Sequence, residues 1–328
     1  MVMRRKRASV VVTAAMALAC ALGLGGCSLF TPSLADGDLS GTVQKTSVES
    51  SALISEGTLT VALDTSNAPM GMTGSDGSVT GYEADVARCL AQHFGLSVTF
   101  VDATSADNAL TNVSADLYIG ATSKEGTTKI QVFGDVVEDA TAVFGKDGST
   151  ITADTLASST VAVQAASASE DALSRAGINA TEKTYTNVNE CFAALESGEV
   201  QYVVCDMSAG AYLARAYSDV SFVDTISAST TYGIAVRAKN SELLQKVQQV
   251  LNSINSDGTL EAIHTMWFGR TPTSSLDSYM LSGVSIAQDA DGENINSDDV
   301  ETMTTTDTST ATSAAETPIT NDINEVNN

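Results

Sequence analysis

The alternation of short apolar runs with amphipathic stretches predicts an α/β chain whose folded part forms two lobes facing each other across a cleft. Runs such as LTVALD (59–64) and QYVVCD (201–206) read as strands, and stretches such as YEADVARCLAQHF (82–94) have helical spacing. The alternation comes in two sets, and no long repeat relates them.

In the first set, LTVALD is followed by the helix at 82–94 and then by SVTFV (97–101) and DLYIG (116–120). Within DLYIGATSKEGTTK (116–129), Leu117 and Ile119 alternate with their neighbours as in a strand, and Gly120 ends the run. Thr122 and Ser123 then open a loop at the strand's carboxyl end, where open α/β sheets hold ligands. The second set reads as a strand TVAVQ (160–164), a helix near Glu170 to Ala176, a helix NVNECFAALESG (187–198), the strand QYVVCD, and a helix through Tyr212 and Ala216. A strand YGIAV (232–236) and two helices, SELLQKVQQVLNSI and GTLEAIHTMWF, close the body.

The ends have a different character. A basic cluster, Arg4 to Arg7, precedes an apolar stretch from Val10 to Leu24 and then Gly25, Gly26 and Cys27. The run is short of the roughly 20 apolar residues a membrane span needs, so residues 1–26 read as an export signal. Leu24-Gly25-Gly26-Cys27 resembles a bacterial lipobox, which implies cleavage before Cys27 and lipid on its sulfur; an ordinary secretory signal is the alternative. Residues 27–56, rich in small polar side chains, read as a flexible linker. Residues 271–328 hold eleven carboxylates and no lysine or arginine, and read as a disordered acidic tail whose removal from residue 276 onward leaves the fold intact.

Loss of residues 1–26 takes the formal charge from −24 to −28, a surface that repels nucleic acid and anionic lipid. Of the five cysteines, Cys20 leaves with the signal and Cys27 is the expected anchor. Cys89, Cys191 and Cys205 permit at most one disulfide, for which Cys191 and Cys205 are the better pair, though both sit in apolar runs suited to core positions. No Cys/His spacing suits zinc, Met70 and Met72 have no histidine or cysteine beside them to bind copper, and no metal or cofactor is expected.

GYEADVA (81–87), VAVQ (161–164), SGEVQYVVCD (197–206) and above all YGIAVRAKNSELLQKVQQVLNSINSDGTLEAIHTMWFG (232–269) resemble the extracellular solute-binding proteins, family 3, of polar amino acid ABC importers. The resemblance implies a type II periplasmic-binding fold. Its two α/β lobes, 57–142 plus 236–270 and 147–230, are joined by a two-strand hinge with crossings near 142–146 and 230–235. It further implies a monomer that binds a small polar solute, docks on an ABC permease and is held at the membrane by its lipid anchor.

The resemblance also places ligand contacts. Asp206 matches the aspartate that holds a ligand ammonium, with a helix N-cap as the alternative. Ser167 matches a hydroxyl facing a ligand carboxylate, with the same alternative. Thr122 matches the hydroxyl of the first lobe, and Asp64 a position that meets cationic side chains, or else a turn aspartate. Asp85 falls in a helix-dipole or packing role. The carboxylate-clamping arginine falls on Thr127 and a first-loop aromatic on Asn67, while no Phe, Tyr or Trp lies between Asp102 and Leu117. Lys124 or Lys129 could supply a point charge, or be solvated. Two carboxylates without a confirmed cation favour a cationic or polar ligand lacking a free carboxylate.

Three function classes follow: a lipid-anchored solute receptor, a sensor or scaffold that lost its site, and an enzyme on the same fold. His93 and His264 lie on helix faces away from strand ends, so an enzyme would need a carboxylate of raised pKa such as Asp206 or Glu125.

Overall fold

The computed structural model describes residues 47–273 and 275–284. The signal segment, Cys27, most of the expected linker and the tail beyond 284 lie outside the described residues. In chain order the elements are β1 (Thr58–Leu63), β2 (Met72–Thr73), β3 (Val79–Thr80), α1 (Tyr82–Phe94), β4 (Ser97–Asp102), β5 (Leu117–Ala121) and β6 (Ile130–Asp139). Then come β7 (Thr141–Lys146), α2 (Ala153–Ala157), β8 (Thr160–Gln164), α3 (Ala168–Arg175), β9 (Thr181–Tyr185), α4 (Val188–Ser197), β10 (Tyr202–Asp206), α5 (Met207–Ala214) and β11 (Val220–Thr225). The body ends with β12 (Thr230–Arg237), α6 (Ser241–Ser256) and α7 (Thr259–Phe268).

Two five-stranded sheets result, β4-β1-β5-β12-β6 in the first lobe and β11-β7-β10-β8-β9 in the second. Each has a parallel part built by helical crossovers, β1 with β4 and β5 in one and β8 with β9 and β10 in the other. Each also takes in antiparallel strands from the hinge side, β12 between β5 and β6, and β7 between β10 and β11. The architecture is the type II periplasmic-binding fold.

The crossings lie earlier than expected, at Ala140 between β6 and β7 and at 226–229 between β11 and β12. Thr141–Lys146 pairs wholly within the second sheet and Thr230–Arg237 within the first. The reason is register: β12 follows β6 to its last residue, with Thr230 opposite Asp139, so both segments leave the first sheet at one level.

Helices α1 and α6 cover the first sheet, and α7 packs on both of them. Trp267, fully buried, donates its Nε1–H to Asp85 Oδ2 at 2.9 Å, and the buried Asp85 carboxylate also pairs with Arg88 at 3.0 Å. Arg88 in turn lies 5.0 Å over the Phe100 ring. Asp85 thus ties α1 to α7, the packing role expected of it. His264 sits between Tyr82 and Phe268, neither ring nitrogen has a hydrogen-bond partner among the described residues, and burial pushes its pKa down to about 4. Cys89, Cys191 and Cys205 are buried and free, so the Cys191–Cys205 pair is not formed. Both residues are small core side chains, and burial pushes the Cys191 thiol up to about 11.

Both ends of the described chain are fastened. Residues 50–56, expected in the linker, dock on the first lobe: Asn240 Nδ2 donates to Ala52 O at 2.7 Å, and Ile54 N and Thr60 N both donate to the buried Asp116 carboxylate at 2.8 Å. Residues 276–284, expected in the free tail, pack beside the hinge. Leu276 and Leu281 are buried, Leu276 N donates to Glu138 Oε2, Leu281 N to Thr225 O, and Ser229 N to Asp277 Oδ1. Two leucines in a long polar segment leave no periodicity to read, which is why composition hid this strap. Truncation from residue 276 is therefore expected to destabilise the protein, and Leu276→Ala to cost about 2–5 kcal/mol in equilibrium denaturation. An unchanged midpoint for the truncated protein would mean that the strap contributes nothing.

Candidate functional site

A cavity of about 470 Å³ opens where the strands of both lobes end. Asp64 follows β1, Thr122 follows β5, and Asp206 ends β10, so three of the expected residues come to one place by the rule that places ligands at carboxyl ends of parallel strands. Asn67 also lines the cavity, at an exposed position.

Asp64 makes the turn expected of it and also lines the cavity. Its Oδ1 accepts from Ser66 N at 2.8 Å and from Ser66 Oγ at 2.6 Å, an Asx-type turn, while the residue lines the cavity. Thr122 N donates to Glu125 Oε1 at 3.0 Å, and Glu125 Oε2 accepts from Ala106 N at 2.7 Å, so the Glu125 carboxylate braces two loops at the cavity wall.

Two expected residues stay out of the cavity. Ser167 caps α3, its hydroxyl accepting from Glu170 N at 3.3 Å and donating to Gln164 O at 2.7 Å, and its neighbour Ala168 lines the cavity instead. Thr127 is exposed, and its Oγ1 accepts from Lys129 N and Ile130 N at 3.1 Å, closing the turn into β6. Neither Lys124 nor Lys129 lines this cavity; Lys124 lines a second one of about 300 Å³ on the first lobe. Asp206 begins α5 without a side-chain cap bond, and the cap is supplied from the hinge: Asp139 accepts from Ser208 N at 3.2 Å and from the Ser208 hydroxyl.

Among the lining residues that escape a sequence reading are Glu83, Asp139, Tyr118 and Tyr232. The two tyrosines supply the aromatic surface that loops 64–70 and 102–117 lack. Glu83 is turned inward by the start of α1, where Tyr82 N and Glu83 N donate to Pro69 O and Met70 O, and it is only 4% exposed. Its carboxylate lies over bare Gly120, whose φ is +98° and where a Cβ would stand 2.7 Å from Oε1. The GYEAD start of a helix beside a glycine-ended strand was the available signal, but first-turn acids are ordinary.

The electrostatics follow from the lining, in which the described residues include five carboxylates and no lysine, arginine or histidine. Burial first, then the charge of Asp64, pushes the Glu83 pKa up to about 8. Loss of water and the charge of Asp206 push Asp139 up to about 7, against the opposing hydrogen bonds from Ser208. Burial and the carboxylates around it, Glu83 foremost, raise the Tyr118 phenol well above its ordinary value. Among the described residues no group of three or more His, Cys, Asp or Glu is arranged to hold a metal ion.

Residues 59–270 match the sequence profile of the bacterial extracellular solute-binding proteins, family 3. The L-cystine-binding protein of Escherichia coli (strain K12) is 27% identical over 226 residues, 66% of this chain and 85% of that protein. Among solved structures, an ancestral cationic amino acid solute-binding protein superposes with TM-score 0.55 at 28% identity, over 65% of this chain and 96% of that one. The substrate-binding protein of a polar amino acid ABC uptake transporter from Streptococcus thermophilus gives TM-score 0.61 at 18% identity, over 68% and 90%.

The raised Glu83 has a consequence for stability. In the unfolded chain it ionises near 4.5, but in the fold it keeps its proton to about 8, so folding takes up a proton in that window and stability falls as pH rises through it. Each unit of difference is worth about 1.4 kcal/mol. Glu83→Gln, isosteric with the neutral acid, is expected to raise the melting temperature at pH 8 and to change it little near pH 4. Equal effects at both pH values in a thermal melt would count against a neutral Glu83.

Proposed function

We propose, since the chain belongs to the bacterial extracellular solute-binding proteins, family 3, that it is the lipid-anchored receptor of an ABC importer and closes its two lobes on a small polar solute, amino-acid-like or an amine. The observation that carries this reading is the cavity at the strand ends, where side chains of both lobes meet around a space of small-molecule size. Asp64, Asn67, Thr122 and Asp206 act as ligand contacts, with Glu83 and Asp139 added to them. Ser167 and Thr127 act indirectly, by shaping the loops that bear Ala168 and Lys124.

The acidic lining supports a cationic solute, since a positive charge placed there lowers the mutual repulsion of the carboxylates. The named relatives bind L-cystine in one case and cationic amino acids in another. Raised pKa values at Glu83 and Asp139 favour a second reading, proton-transfer chemistry on the same fold. The two readings part on turnover: a receptor returns its solute unchanged.

The anchor completes the proposal. Cys27 carries lipid on the extracytoplasmic face of the cell membrane, with more than one acyl chain, because one chain alone binds marginally. The receptor works as a monomer beside its permease. Mass analysis of small molecules released from the purified native protein is expected to find a polar solute in stoichiometric amount. In cell fractionation, Cys27→Ser is expected to move the protein from the membrane to the soluble fraction or to leave the signal uncleaved, and undisturbed processing and retention would refute the anchor.

A further inference from the structure

The strap at 276–284 lies beyond residues 59–270, where the family match ends. Its bonds nevertheless fall on both chain segments that join the lobes. At the first, Leu276 N donates to Glu138 Oε2 at 2.8 Å, just before the crossing at Ala140. At the second, Ser229 N donates to Asp277 Oδ1 at 2.8 Å, just before β12 begins. The strap then runs onto β11, an outer strand of the second sheet whose open edge can take it. Met280 bridges Thr225 there, Leu281 N donates to Thr225 O at 2.9 Å, and Ala153 N at the start of α2 donates to Ser282 O at 3.3 Å. The Tyr279 ring meets Phe222 of β11 edge-on at 5.7 Å.

The two ends of the strap are held by unlike forces. On the second-lobe side Leu281 is buried in that lobe's own core, beside residues such as Val143, Val204 and Ile226, and it cannot leave without opening a close-packed interior. On the first-lobe side the grip is a pair of hydrogen bonds, one to the Glu138 carboxylate and one from Ser229 to the exposed Asp277. Such bonds can break and form again as the lobes turn. Each also sits one residue from the cleft. Glu138 and Asp139 are successive in β6 and point to opposite faces, so one takes the strap while the other lines the cavity and caps α5 through Ser208. Thr230, which follows Ser229, lines the cavity as well.

We infer that residues 276–284 are a hinge clasp: anchored in the second lobe, they grip the first through Glu138 and Ser229 and hold the lobes at the angle of this structure. Rotation about Ala140 and 226–229 carries Glu138 and Ser229 away from a strap that stays with Thr225. The lobes can therefore turn only by breaking those two bonds. The clasp acts on the equilibrium between lobe arrangements, since it bonds fully in one of them. By linkage, a solute that favours a different angle loosens the strap, and a loosened strap favours that solute. The inference goes beyond the receptor reading, because it depends on the two-lobed fold and on no particular solute.

The test is pulsed electron spin resonance on the full mature protein without added solute, spin-labelled at Ser97→Cys in β4 and Thr181→Cys in β9. Both positions are exposed, on the outer strands of the two sheets, and Cys89, Cys191 and Cys205 are buried and stay in place. Protein without the two substitutions controls for labelling elsewhere. One dominant distance between the lobes is expected. Asp277→Ala leaves Leu276 and Leu281 in the core and is expected to raise the population at other distances about 10-fold, as loss of a hydrogen bond to a carboxylate implies. Addition of Glu138→Ala is expected to raise it further. Asp277→Asn, whose side-chain oxygen still accepts from Ser229 N, is expected to keep the parent distribution. The same distribution in the parent and in the Glu138→Ala/Asp277→Ala protein overturns the clasp and leaves the receptor reading standing. A broadened distribution that comes with loss of cooperative melting in Asp277→Ala makes the strap a structural prop and overturns the clasp as well.

Discussion

The antiparallel ladder between β6 and β12 is the constraint that organises this molecule. It carries the two chain segments that join the lobes to one level, with Thr230 opposite Asp139 at the final rung. One residue further on, the backbone of Ala140 accepts from Met207 N, and the Asp139 side chain accepts from Ser208 N. A residue that ends a strand of one lobe therefore caps a helix of the other. The same bonds bring Asp206, the last residue of β10, beside Asp139, and their repulsion is the electrical character of the cleft's floor.

That character has a cost which the structure meets in two ways. Glu125 gives its two oxygens to backbone N–H groups and Asp139 accepts from the backbone and hydroxyl of Ser208, so both are partnered by protein instead of water, although burial and Asp206 still hold Asp139 well above the usual carboxylate range. Glu83 has no such shell and keeps its proton instead. The cleft thus holds acids of two kinds, some serving as loop braces and one kept in reserve.

Much of this was legible in the sequence and some of it was not, for reasons that differ by residue. Strand ends are announced by apolar runs that stop, so Asp64, Thr122 and Asp206 could be placed where ligands meet α/β sheets. Ser167 and Thr127 were legible as hydroxyls, but local turn chemistry claimed them: each binds backbone two or three residues away, and that bond needs no ligand. Glu83 reads as an ordinary first-turn acid of α1, and only the loop at 69–70 and the bare Gly120, distant in sequence, turn it inward. Asp139 ends a strand whose sequence is polar at several positions, so nothing marks it before the pairing with β12 is known. The strap at 276–284 is held by two leucines and by backbone bonds, which composition averages away.

The two ends of the described chain belong to different halves of the molecule. The N-terminal stretch is pinned to the first lobe through Asp116 and Asn240, whereas the strap leaves Glu138 of the first lobe at Leu276 and its last residues, 281–284, are pinned to the second through Thr225 and Ala153. Any rotation of one half against the other therefore changes the distance between residues near 47 and residues near 284. The molecule is wired as its own displacement gauge: a donor dye at one end and an acceptor at the other would follow lobe motion from outside the cleft, without a label touching the solute.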